Sequence, residues 1–249
     1  MANVKFRVFR GDSQSGSEVE YDVAVESGMV VLDAMFRIQA GDAPDLAVRW
    51  NCKAAKCGSC SAEINGRPRL MCKTRLDSLD TSAPITVRPL RSFPIIKDLV
   101  TDVAWNYEVN KRIPPFTPKP GAQWKMQQED VARAQEFRKC IECYLCQNVC
   151  HVIREHSLGE RFAGPRFLAR IASLEMHPLD GVDRIPMLKE EFGLGLCNIT
   201  KCCTEVCPED IHITDNAIIP LKERVVDRYY DPIKRLLRVF SSRDKIVPK

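Results

Sequence analysis

Residues 140–150 read CIECYLCQNVC, and residues 197–208 read CNITKCCTEVCP. The first stretch is spaced C-x2-C-x2-C-x3-C. The second repeats that spacing, with Pro208 after its last cysteine, once Thr200 is set at the place of the second cysteine. The two runs are an internal repeat from which one cysteine is missing.

A repeat of this spacing is a ligand frame for two iron-sulfur clusters: three thiolates of each run hold one cluster and the fourth crosses to the other. Crossing the runs gives Cys140, Cys143, Cys146 and Cys207 as a complete set, which suits a 4Fe-4S cluster. Cys150, Cys197 and Cys203 remain for the other, and with no thiolate for a fourth iron the expected occupant is 3Fe-4S. Cys202 is adjacent to a ligand and out of register. It is read as a buried free thiol turned away from the cluster; the alternative is a rearranged loop that recruits it into a 4Fe-4S site. His151 stands where a proline would follow the first run.

Working outward, residues 52–72 read CKAAKCGSCSAEINGRPRLMC, or C-x4-C-x2-C with a fourth cysteine beyond a turn at Asn65 and Gly66. This is the plant-type spacing for 2Fe-2S, with Cys52, Cys57, Cys60 and Cys72 as ligands. Ala54, Ala55, Gly58 and Ser59 are small enough to let backbone N–H groups approach the sulfurs. A zinc site is the alternative, but zinc sites usually pair two C-x2-C knuckles and only one is present here.

The surroundings of the three cysteine groups differ. Alternating apolar residues at 5–9, 21–26 and 85–90 predict strands, with a helix over 30–40 between them. Prolines 94, 114, 115, 118 and 120 mark residues 91–121 as a bridge. Beyond it, 127–143, 165–177 and 231–240 carry helical patterns. The expectation is an α+β chain with a 2Fe-2S domain over 1–105 and a helical domain over 106–249.

Composition agrees. With 249 residues, 45% hydrophobic and 28% charged, the chain can bury one large core or two small ones. Its net charge of +4 is too small to argue for nucleic acid. No apolar run approaches the roughly 20 residues that span a bilayer, and the start, MANVKFRVFRGD, lacks an apolar leader segment. Twelve cysteines in a reducing compartment bind metal more readily than they form disulfides. A dinucleotide fingerprint is also absent: GLGLCN at 193–198 has no third glycine. Clusters whose irons are held by thiolates suit electron transfer rather than bond-making, so no substrate-converting or catalytic residue is expected on this chain.

The order of CKAAKCGSC, CIECYLC and C-x5-C-x3-CP resembles the iron-sulfur subunit of succinate dehydrogenase and fumarate reductase over nearly the whole chain. The resemblance implies a β-grasp ferredoxin domain docked on an FAD-containing flavoprotein subunit, and an α-helical ferredoxin domain docked on a transmembrane anchor. It also implies electrons passing from succinate through FAD, 2Fe-2S, 4Fe-4S and 3Fe-4S to quinone, at the cytoplasmic face of a bacterial plasma membrane. Two positions depart from ubiquinone-linked members: Glu155 stands where a tryptophan lines the quinone pocket, and Asn198 where a histidine often follows the first cysteine of the last run. The departures count against the usual quinone pocket beside the third cluster: menaquinone is the expected quinone, and the alternatives are a quinone placed differently or one reached through a further cofactor in the anchor. Fumarate reduction by the same subunit, a related thiol:fumarate or heterodisulfide reductase, and a zinc-binding regulator are the competing readings.

Other residues invite function with less support. His151 and His156 are candidates for proton carriers or quinone contacts, against a plain interface role; His177 and His212 carry less evidence still. Lys53, Lys56, Arg67 and Arg69 either give the first cluster a positive surrounding or form a solvated rim. The segment DPIKRLLRVF could lie on anionic lipid, though packing against protein is favoured.

Overall fold

Alternation of apolar and polar residues builds the first hairpin. In the computed structural model, which describes residues 2–155 and 160–232, strand β1 (Ala2–Gly11) pairs antiparallel with β2 (Gly16–Val25) along their whole length. Val4, Phe6 and Val8 of β1 and Tyr21 and Val23 of β2 point into one core, as the two-residue period of a strand requires. Helix α1 (Val31–Ala40) buries Val31, Leu32, Ala34, Met35 and Ile38. Asp33 caps it by accepting the Val30 N–H at 3.0 Å.

Strands β3 (Ser61–Ile64) and β4 (Arg67–Leu70) form a second hairpin, turned at Asn65 and Gly66, both with positive φ. β5 (Ile85–Arg88) lies between the hairpins, parallel to β1 and antiparallel to β3. The five-stranded order β2-β1-β5-β3-β4, with α1 in the crossover, is the expected β-grasp sheet.

The bridge at 91–121 has more structure than its prolines suggest. It holds a small hairpin, β6 (Ile95–Lys97) with β7 (Val100–Thr101), and helix α2 (Ala104–Lys111). Buried Asp98 pins the hairpin to the sheet, accepting the N–H groups of Gly11 and Ala47 at 2.9 Å each and Arg10 Nε at 3.1 Å.

The second half is helical: α3 (Gln128–Arg138), α4 (Leu145–Val149), α5 (His151–Arg154), α6 (Pro165–Glu175), α7 (Ile185–Glu190), α8 (Cys202–Glu205) and α9 (Ile219–Tyr229), the last entered through a π-helical turn at Ile213–Ile218. The helix predicted over 127–143 stops at Arg138, ahead of the cysteine loop in which Glu142 and Tyr144 adopt the positive φ that a helix does not accommodate. α6 runs through the second core, burying Phe167, Leu168, Ile171 and Ala172. Arg184, fully buried, donates to the carbonyls of Pro114 at 3.0 Å and Pro115 at 2.8 Å and pairs with Asp180, fixing the incoming chain. His156 and residues 233–240 of the basic tail lie outside the described residues. Among the described residues no helix is long and apolar enough to cross a membrane.

Candidate metal centres

The first cysteine loop is shaped by its backbone. Lys53, Ala55 and Gly58 all have positive φ, a conformation that costs non-glycine residues energy and points successive amides into one hollow. The amides reach sulfur: Ala54 and Lys56 donate to Cys52 Sγ at 3.3 Å, Ala55 to Cys72 Sγ at 3.3 Å, and Cys72 to Cys60 Sγ at 3.4 Å. Burial works against ionisation of Cys57, but hydrogen bonds from Ser59 and the Cys52 amide hold its thiol down at about 6. Burial pushes Cys60 up to about 12. Such donors favour negative charge on the sulfurs, which is what iron ligation demands.

The next two loops repeat each other in backbone as well as sequence. Glu142 and Tyr144 follow Cys140 by two and four residues, with φ of 55° and 60°; Ile199 and Lys201 follow Cys197 by the same two and four, with φ of 63° at each. A β-branched residue such as Ile199 seldom tolerates this region. Each loop then enters a short helix, α4 after Tyr144 and α8 after Lys201. Thr200 thus occupies the place that Cys143 holds in the other loop.

The thiols gather across the repeat. Cys140, Cys143 and Cys146 line one mostly apolar pocket with Cys207 of the second run. Cys150 of the first run lines another with Cys197 and Cys203 of the second. Burial pushes Cys143 and Cys203 up to about 12 and raises Cys146 well above its ordinary value. Amides of Leu145, of Glu209 and Ile211, and of Val152 and Ile153 work in the opposite direction on Cys143, Cys207 and Cys150. Thiols this buried become thiolates only with cationic metal beside them, and binding then expels their protons. Among the described residues no three His, Cys, Asp or Glu side chains are spaced to hold a single metal ion. The donor set, all sulfur, mostly buried and served by amides, fits a larger iron-sulfur group.

Cys202, expected to turn away, also lines the Cys150, Cys197 and Cys203 pocket, with its Sγ 3.4 Å from Thr200 Oγ1. Thr214, fully buried, bonds Cys203 Sγ at 3.4 Å. His151 and Asn198, both on this rim, meet with the Asn198 amide 2.7 Å from His151 Nε2. His212 hydrogen-bonds Glu136 and His177 packs edge-on to Phe116, which gives both structural work. Lys53 lies over Phe36 and Trp50, and Lys56 faces Glu209 of the second half at 3.4 Å. Arg67 and Arg69 line a separate cleft.

Sequence reasoning missed Glu63, Asn148 and Arg166. Glu63, 2% exposed on β3, accepts Arg91 at 2.6 Å and the Asn148 amide at 2.7 Å; Asn148 Oδ1 accepts the Ser92 N–H at 3.0 Å. This buried network joins the sheet to α4, which carries Cys146 and leads into Cys150. The available signal was a lone acid inside the apolar stretch SAEI.

Comparison with known proteins places the chain among iron-sulfur proteins. Residues 5–107 match a 2Fe-2S iron-sulfur cluster binding domain and residues 136–211 a 4Fe-4S dicluster domain. The chain is 28% identical to the succinate dehydrogenase iron-sulfur subunit of Paracoccus denitrificans, over 90% of this chain and 88% of that one. It is 31% identical to the fumarate reductase iron-sulfur subunit of Escherichia coli O157:H7, over 85% and 88%. An uncharacterized iron-sulfur protein of Methanococcus maripaludis is 30% identical over 90% of this chain, which spans 46% of that relative's length. A chain in the structure of the Mycobacterium smegmatis Sdh1 complex in the apo form superposes with a TM-score of 0.90 at 64% identity, covering 93% of this chain and 98% of that one. The chain belongs to the family of iron-sulfur subunits of succinate dehydrogenase and fumarate reductase.

Proposed function

We propose that the chain conducts electrons between a flavoprotein subunit and membrane quinone in a succinate:quinone oxidoreductase, from two domains, 1–105 and 106–249. Cys52, Cys57, Cys60 and Cys72 hold 2Fe-2S; Cys140, Cys143, Cys146 and Cys207 hold 4Fe-4S; Cys150, Cys197 and Cys203 hold 3Fe-4S. When bound, these clusters supply one-electron acceptors in series. The observation that carries the reading is the crossing of thiols between runs, Cys207 joining Cys140, Cys143 and Cys146 while Cys150 joins Cys197 and Cys203.

The residues of the chain supply the rest. Backbone amides of the first loop stabilise thiolate charge, a mostly apolar lining surrounds the thiols of the second site, and Gly58 lets the first two loops touch. The subunit sits peripherally at the cytoplasmic face of the membrane on a transmembrane anchor, and menaquinone is the acceptor that the Glu155 and Asn198 departures favour. A second reading, in which Cys202 completes a 4Fe-4S cluster at the third site, has in its favour the place of Cys202 in the pocket lining.

Low-temperature EPR of the anaerobically purified complex, as isolated and after dithionite, tests both. A 3Fe-4S signal as isolated that disappears on reduction, replaced by 2Fe-2S and 4Fe-4S signals, is the expected result. Full iron content without a 3Fe signal would transfer the third site to the Cys202 reading.

A further inference from the structure

Arg166 is charged where α6 has no evident need of charge. It is the second residue of a helix whose neighbouring positions bury Phe167, Leu168 and Ala169, and its own side chain is 6% exposed. It lines the pocket of Cys140, Cys143, Cys146 and Cys207. Nη2 pairs with Glu142, whose side chain is 48% exposed, and the guanidinium lies 5.5 Å from the Phe167 ring centre. Its Nε–H has no hydrogen-bond partner among the described residues.

Burying a cation is costly unless its charge is well compensated. One half-solvated carboxylate recovers only part of that cost. Cys140 and Cys146 are the further negative charges that act on Arg166 once ionised. Glu209, the other charged residue of the pocket, faces Lys56.

We propose that Arg166 sets the reduction potential of the second cluster, with Glu142 as its moderator. The inference rests on the assignment of a cluster to Cys140, Cys143, Cys146 and Cys207. Adding an electron makes that site one unit more negative. A fixed cation in a dry pocket favours the added electron more strongly than it would in water, so Arg166 raises the potential. Glu142, pairing with Arg166, draws part of that effect away.

The test is a redox titration followed by EPR on the whole membrane complex. Arg166→Gln should shift the second-cluster midpoint to lower potential while the first and third stay in place; Arg166→Lys, which keeps the charge, should recover most of the shift. Glu142→Gln should shift the same midpoint upward. A second-cluster midpoint unmoved by either charge change would overturn the proposal, as would equal shifts at all three clusters. If Arg166→Gln assembles without the second cluster, Glu142→Gln decides alone, and no upward shift there overturns it. Absence of any second-cluster signal in the unmodified complex would instead overturn the cluster assignment.

Discussion

A β carbon placed on Gly58 would lie 2.7 Å from the Cα of Cys143 and 2.7 Å from the Ile141 carbonyl oxygen. The first and second cysteine loops therefore touch backbone to backbone, although one belongs to the sheet half and the other to the helical half. Ser61 Oγ reinforces the contact by donating to the Cys143 carbonyl at 2.9 Å. Gly58 also has φ of 68°, so two independent constraints require glycine.

Gly58→Ala should separate the loops. Left-handed strain alone costs about 1–3 kcal/mol, and the steric clash adds to it. The purified complex should melt several degrees lower, and reduction of the second cluster after succinate addition should slow in freeze-quench EPR. Unchanged melting and unchanged kinetics would mean that the loops have room to move apart without consequence.

Asn148→Ala attacks the same boundary from the helical side. It removes the amide that donates to Glu63 and leaves the Ser92 N–H without its acceptor. An unsatisfied buried group costs about 1–3 kcal/mol, so the variant should lose about 2–4 kcal/mol. The measurement is limited proteolysis: cleavage around Val103, where the chain passes from the first core to the second, should quicken as the halves separate more often.

Glu136 joins α3 to the π-helical turn, accepting the His212 N–H at 2.7 Å, His212 Nδ1 at 3.0 Å and the Asn216 amide at 2.6 Å. Burial alone would raise its pKa, but these donors hold the carboxyl below its ordinary 4.5. The folded state thus binds the proton less tightly than the unfolded chain. Its stabilisation is full above that ordinary value and fades as pH falls through the depressed one. Melting curves of the complex carrying Glu136→Gln should fall below those of the unmodified complex at neutral pH, and the gap should narrow on acidification. A gap independent of pH would assign Glu136 a role without charge.

Sequence made the chemistry of this chain more legible than its shape. Cysteine spacing fixes which residues can share a cluster because a loop of two or three residues has few conformations, and the alternation in β1 and β2 is plain because one face of that hairpin is solvated. The turn at Asn65 and Gly66 was legible, but strands β3 and β4 on either side escaped notice because four-residue strands give alternation little length to show, and Pro68 interrupts β4 at an edge where no N–H is needed. Arg166 and Asn148 were hidden for another reason. Each looks like an ordinary polar residue of a helix until the partner half, or the cysteine pocket, is placed beside it.

Thr200 offers the sharpest test of the repeat. It stands between Ile199 and Lys201 as Cys143 stands between Glu142 and Tyr144, with the same left-handed residues on either side. A threonine hydroxyl stays protonated at neutral pH and is a poor iron ligand, whereas a thiolate there would have the backbone that already serves Cys143. Thr200→Cys, loaded under excess iron and sulfide, should replace the 3Fe-4S signal with that of 4Fe-4S and shift the midpoint of the third site, since cluster type is one of the settings of potential. A persistent 3Fe signal would show that the matching backbones do not deliver matching side chains. Thr200→Ser, which keeps the hydroxyl, should leave the 3Fe signal as it is.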